Sequence, residues 1–180
     1  MLDLRTAYEY LRNRPDADPR GFGLFGLSKG GSAGLLEAAG DSSVRCFVTD
    51  GIFGTLTTMI PYMRQFVTIY TKRRWLIKLL TDAYLRILAK MALRRIEAER
   101  KVNYPSLMRA MRCLGNRPLL MIHGGGDTYI KPDMARSMFE IVRGPKELWI
   151  VDKAKHNQAF HAANEEYKRR ILEFFDRHLK

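Results

Sequence analysis

The chain has 180 residues, 46% of them hydrophobic and 28% charged, with 31 Lys and Arg against 19 Asp and Glu for a formal net charge of +12. This length and apolar content suit one domain with a sizeable core, and two cysteines are too few for a disulfide framework, so reduced thiols and a cytoplasmic setting are expected. No apolar run reaches the length of a membrane-spanning helix, no signal-type segment is visible, and there is no internal repeat or low-complexity tract.

Leu4 to Arg12, with Ala7, Tyr8 and Leu11 at helical spacing, predicts a helix. After Asp18-Pro19-Arg20, the glycine-spaced apolar run Gly21-Phe22-Gly23-Leu24-Phe25 reads as a strand that delivers Gly26-Leu27-Ser28-Lys29-Gly30-Gly31. A helix-prone segment, Ser32 to Ala39, follows and is ended by Gly40. Val44 to Thr49 is a second strand, closing on Asp50 and Gly51. Pro118 to Ile122 and Glu147 to Asp152 are two more, so four strands are expected near 21–27, 44–50, 118–123 and 147–152. Strands alternating with helices predict an α/β fold with a parallel sheet.

The Gly-x-Ser-x-Gly pattern between strand and helix has the form of a nucleophile elbow, a tight turn that exposes a serine hydroxyl to a cleft. Such a hydroxyl needs a base to take its proton. The run Pro118 to Ile122 leads into His123-Gly124-Gly125-Gly126-Asp127, a glycine-rich turn ending in an acid, and the run Glu147 to Asp152 leads into Lys153-Ala154-Lys155-His156-Asn157. Ser28, Asp127 and His156 are therefore the candidate nucleophile, orienting acid and general base, in the chain order Ser, Asp, His. Asp50, at the end of its strand, is the alternative acid. His123 reads as a structural histidine, and no histidine or cysteine has the spacing of a metal site. Gly21-x-Gly23-x-x-Gly26 matches a dinucleotide fingerprint in letters only, because its glycines lie before and within the strand, so no cofactor is expected.

With these three motifs in register, the chain from Ala7 to Lys180 resembles the α/β-hydrolase superfamily, in particular its small serine esterases and the aminopeptidase-like and prolyl-oligopeptidase-like hydrolases. The resemblance implies a serine hydrolase that cleaves a carboxylic ester or related acyl bond. A serine peptidase of the same fold is one alternative. A catalytically impaired module acting by membrane-surface or protein binding is another. The family places several strands before the elbow and takes one oxyanion donor from a loop after an early strand. Only about 20 residues precede Gly21 here. The expectation is thus the C-terminal half of the hydrolase sheet over residues 1–180, with the elbow strand at an edge that could self-associate and the Lys29 backbone N–H as the evident oxyanion donor.

Between Pro61 and Cys113 lie 13 Lys or Arg against Asp82, Glu97 and Glu99, a net +10 out of +12. Apolar residues recur there at helical spacing, as in Trp75, Leu76, Leu79, Leu80, Tyr84, Leu85, Leu88 and Met91. Residues 52–115 are accordingly expected to form a basic helical cap inserted in the domain. Its expected roles are packing on the hydrolase core, shaping a pocket for a small-molecule acyl substrate, or peripheral association with an anionic membrane surface. No nucleic-acid module is visible, and the cations are interleaved with core-type Leu and Met, which argues against nucleic acid as a partner.

Overall fold

Side chains alternate across a strand, so a parallel strand with both faces covered is apolar along its whole length rather than at every second residue. Val44–Asp50 and Leu119–Gly124 are mostly apolar and buried along nearly their whole length, and are the central strands in a computed structural model of the chain, which describes residues 2–71 and 80–180. The elements run α1 (Leu2–Arg12), β1 (Phe22–Leu27), α2 (Ser28–Ala38), β2 (Val44–Asp50), α3 (Thr55–Tyr70), α4 (Asp82–Arg100), α5 (Leu107–Arg112), β3 (Leu119–Gly124), α6 (Pro132–Phe139), β4 (Lys146–Val151), α7 (Ala159–Ala162) and α8 (Asn164–Leu179). Each expected strand is present to within a residue of its expected bounds.

The four strands form one parallel sheet in the spatial order β1-β2-β3-β4, with Leu27 opposite Asp50, Asp50 opposite Ile122 and Ile122 opposite Trp149. Right-handed crossovers between strands laid down in chain order put the connecting helices α2, α5 and α6 on one face. The core agrees. Phe47, Leu119 and Met121 face Tyr8 of α1, Leu35 and Ala38 of α2, Leu107 and Met111 of α5 and Met138 of α6. Their strand neighbours Cys46, Val48, Leu120 and Ile122 point the other way, to Ala159 of α7 and to Tyr167 and Phe174 of α8. Phe25 and Leu27 of β1, an edge strand of this sheet, stay about half exposed.

Arg117 ties the connections together. Its guanidinium donates to the carbonyls of Ala38, Ala39, Asp41 and Val44 at 2.7–3.1 Å, and its Nε donates to the Leu114 carbonyl at 3.0 Å. The last carbonyls of a helix have no intrahelical donor, and here one planar side chain supplies donors at the end of α2 while stacking over Phe47.

The chain divides into two compact units, residues 54–106 and the remainder. The inserted unit is therefore narrower than the expected 52–115. Ile52, Leu107, Met111 and Leu114 belong to the core cluster of the first unit, which draws both ends of the segment into the hydrolase-like body. Within the inserted unit α3 and α4 pack on each other, and the hydroxyl of Thr81 caps α4 by accepting from the Tyr84 N–H. Trp75, Leu76 and Leu79 of the expected apolar stripe lie outside the described residues. The two cysteines are free thiols, Cys46 buried and Cys113 exposed. Burial raises the Cys46 thiol to about 11.

Candidate active site

β1 ends at Leu27, and the chain turns directly into α2 through Ser28, whose φ of 47° lies in the left-handed region. A non-glycine residue held there is strained, and strain of this kind marks functional turns. The turn is possible because strand and helix touch backbone to backbone. A Cβ on Gly26 would stand 2.4 Å from the Gly31 Cα, and one on Gly31 would stand 2.5 Å from the Gly26 carbonyl oxygen. Gly30, the second glycine of the Gly-x-Ser-x-Gly pattern, has no described neighbour within 4 Å of a Cβ position. The crowding that the motif implies falls one residue later than its letters suggest.

The C-terminal ends of β3 and β4 carry the other two groups. The turn after β3 and the loop after β4 are joined by backbone bonds, with Gly125 N–H donating to the Val151 carbonyl at 2.7 Å and Gly126 N–H to the Ala154 carbonyl at 2.9 Å. Gly124 lies against that loop so closely that a Cβ would be 2.3 Å from the Ala154 carbonyl oxygen. This contact sets the distance between Asp127 and His156. His156 Nδ1–H donates to Asp127 Oδ2 at 2.7 Å, and the Ser28 hydroxyl donates to His156 Nε2 at 2.8 Å. The backbone N–H groups of Tyr129 and Ile130 donate to Asp127 Oδ1 at 2.8 and 2.9 Å, so the buried carboxylate is held on both oxygens. A carboxylate fixed in this way keeps the proton on Nδ1 and leaves Nε2 as the acceptor facing the serine.

Ser28, His156 and Asp127 are thus brought into one hydrogen-bonded line. Lys29 is exposed beside them, and its N–H, among the first of α2, has no intrahelical acceptor and points with the helix dipole toward the N-terminal end. Asp50 is not part of the line. It is buried, accepts from the Tyr167 hydroxyl at 3.0 Å through Oδ2, and its Oδ1 has no hydrogen-bond partner among the described residues. Burial pushes its carboxyl upward, against the smaller opposing effects of the Tyr167 bond and of His123 and His156. His123 is also buried and donates from Nε2 to the Ile130 carbonyl at 2.7 Å, supporting the acid turn. Among the described residues no cluster of His, Cys, Asp or Glu could hold a metal ion, and no helix is long and apolar enough to cross a membrane.

Three supporting residues escape a reading of motifs. Gly51 has φ +63°, and a Cβ there would lie 3.3 Å from His156 Cε1 and 3.0 Å from Asn157 Oδ1, so this glycine leaves room for the imidazole. Ser32 bonds through its hydroxyl to the Ser28 carbonyl and to the N–H and carbonyl of Phe53, tying the first turn of α2 to the loop after β2. Tyr129 sets its exposed ring edge-on to His156, centroids 6.3 Å apart. Gly51 carries a sequence signal, a glycine at a strand end; Ser32 and Tyr129 carry none.

Comparison with solved structures gives the same arrangement of chain. An esterase from Pyrococcus furiosus, Pf2001, superposes with a TM-score of 0.68 at 22% identity over 99% of this chain and 62% of its own. The α/β-hydrolase GrgF from a Penicillium species gives 0.69 at 21% identity over 98% of this chain and 70% of its own. This is the α/β-hydrolase fold. An acylaminoacyl peptidase from Pyrococcus horikoshii shares it at a TM-score of 0.63 and 18% identity, with 97% of this chain matching 27% of the peptidase. By sequence, the uncharacterised protein YqkD of Bacillus subtilis is 23% identical over 177 residues, 97% of this chain and 53% of YqkD. The chain thus spans about half the length of that relative. No protein-family model matches it.

Proposed function

We propose that the chain carries the catalytic centre of a serine hydrolase that cleaves carboxylic esters or related acyl bonds. The observation that supports this most strongly is the continuous line from the Ser28 hydroxyl through both ring nitrogens of His156 to Asp127, starting at a strained residue on a strand-to-helix turn. A fold hosts many functions, so the argument rests on these side chains; the esterases and peptidase among the structural neighbours add that the fold is a common host for acyl chemistry.

In this reading, Ser28 Oγ attacks the acyl carbon as His156 Nε2 takes its proton. The imidazolium is stabilised by Asp127, and the developing oxyanion is met by the Lys29 N–H at the positive end of α2. The C–O bond to the leaving alcohol breaks with proton return from His156, and water then releases the acyl group by the same steps in reverse. An ester is favoured over an amide because its leaving group needs less proton assistance.

The test is hydrolysis of a series of p-nitrophenyl esters by the wild-type chain, Ser28→Ala and Asp127→Asn. Turnover that falls on the order of 10⁴-fold or more in both variants is the expected result. Turnover unchanged in Ser28→Ala would remove the serine mechanism.

A further inference from the structure

The inserted unit, residues 54–106, holds 11 Lys or Arg against three Asp or Glu, a net +8 of the chain's +12. Its described helices also expose large apolar side chains in stripes. On α4, Tyr84, Ile87 and Met91 recur at i, i+3 and i+7 and are 48%, 57% and 61% exposed. On α3, Phe66, Ile69 and Tyr70 recur at i, i+3 and i+4 and are 61–72% exposed, with the Phe66 and Tyr70 rings 4.4 Å apart. At 100° per residue, Lys90 and Arg94 fall on one flank of the α4 stripe and Arg95 on the other. Arg86, Lys90 and Arg94 are exposed and have no ion-pair partner among the described residues. The acidic side chains of the unit are largely occupied, Asp82 with Arg64 and Glu99 with Arg95.

An apolar stripe with unpaired cations along one flank of an exposed helix is the pattern of a helix that lies in a lipid–water interface, where aromatic and aliphatic side chains enter the headgroup region and Lys and Arg meet anionic headgroups. A protein partner with an acidic groove would satisfy the charge, but it would leave the exposed aromatic and aliphatic side chains of α3 and α4 in water. A nucleic acid would leave both stripes in water. We propose that the inserted unit is a docking surface for an anionic phospholipid bilayer, with the α4 stripe and the α3 aromatics entering the interface and Lys90 and Arg94 reading its negative charge.

This inference does not depend on hydrolysis, and binding can be measured on the Ser28→Ala chain. Flotation with extruded vesicles of phosphatidylcholine alone, and of phosphatidylcholine mixed with phosphatidylglycerol, reads the partition directly. The proposal expects binding to the mixed vesicles, little to the neutral ones, and a fall in binding as salt rises. Lys90→Ala with Arg94→Ala should weaken binding on the order of tenfold or more, since each surface cation contributes about fivefold. Ile87→Ser with Met91→Ser, and separately Phe66→Ser, should weaken it at low and high salt alike. These positions are exposed, and circular dichroism would verify that each variant is folded. No flotation with mixed vesicles would overturn the proposal. So would apolar-stripe variants that bind as the parent does, or tighter binding to a DNA duplex than to vesicles, because each makes the surface a charge patch only.

Discussion

Gly30 and Gly31 stand side by side at the elbow, and the structure assigns them opposite roles. Gly31 faces β1. Replacing it with alanine puts a Cβ 2.5 Å from the Gly26 carbonyl oxygen and 2.8 Å from the Ile52 side chain. Ordinary contact begins near 3.4 Å, so α2 must move away from β1 by about 0.9 Å. Overpacking of this size costs about 1–3 kcal/mol, and because Ser28 begins α2 its Oγ moves with the helix. A displacement near 1 Å in a reacting group costs about 10²-fold in rate. Gly30 is exposed, in a helix, with open space around its Cβ position, so Gly30→Ala should stabilise the chain by about 0.5–1 kcal/mol through helix propensity and leave turnover near wild type. Urea denaturation followed by circular dichroism, beside ester hydrolysis, reads both variants. A clearly destabilised Gly30→Ala, or a Gly31→Ala with native stability and rate, would refute this account of how the elbow is held.

Other substitutions follow from the same contacts. Gly51→Ala forces a side chain into a left-handed position against His156 and Asn157, and should cost about 1–2 kcal/mol of stability and reduce kcat more than KM. Arg117→Met strips donors from five carbonyls and should lower stability by about 2–4 kcal/mol in chemical denaturation, with Arg117→Lys recovering little because an ammonium cannot span them. Asp50 holds its proton more tightly folded than unfolded, so its contribution to stability is full below the ordinary carboxylate range and is lost as pH rises through its raised value. Asp50→Asn should therefore be more stable than wild type near neutrality, and stability curves against pH should show that advantage shrinking toward acid; a constant difference would mean that Asp50 does not titrate abnormally.

The strands and the grouping of Ser28, Asp127 and His156 were legible because each chemical residue follows a short β-type run, and parallel strands deliver the residues after their ends to one edge of the sheet. The acid turn was legible for the same reason, and its glycines proved to be contacts with the histidine loop. What sequence did not reveal depends on neighbours distant along the chain. Gly31 rather than Gly30 is the crowded glycine because of where Gly26 lies. Arg117 reads as one more cation in a basic chain until the carbonyls of Ala38 to Val44 fold around it. The compact unit 54–106 is narrower than the basic stretch of sequence, because Arg109 and Arg112 share its composition while Leu107, Met111 and Leu114 belong to the core. Asp50 ends β2 and Asp127 lies in the turn after β3; only the loop after β4 decides which of them meets His156.

The central claim is that Ser28 is an activated nucleophile, and covalent labelling addresses it without knowledge of the substrate. The folded chain would be treated with a fluorophosphonate and the modified peptide located by mass spectrometry, alongside Ser28→Ala and His156→Ala. The account predicts a single adduct on Ser28, lost in the first variant and nearly lost in the second. A folded wild-type chain that takes no label, or takes it equally without His156, would contradict it.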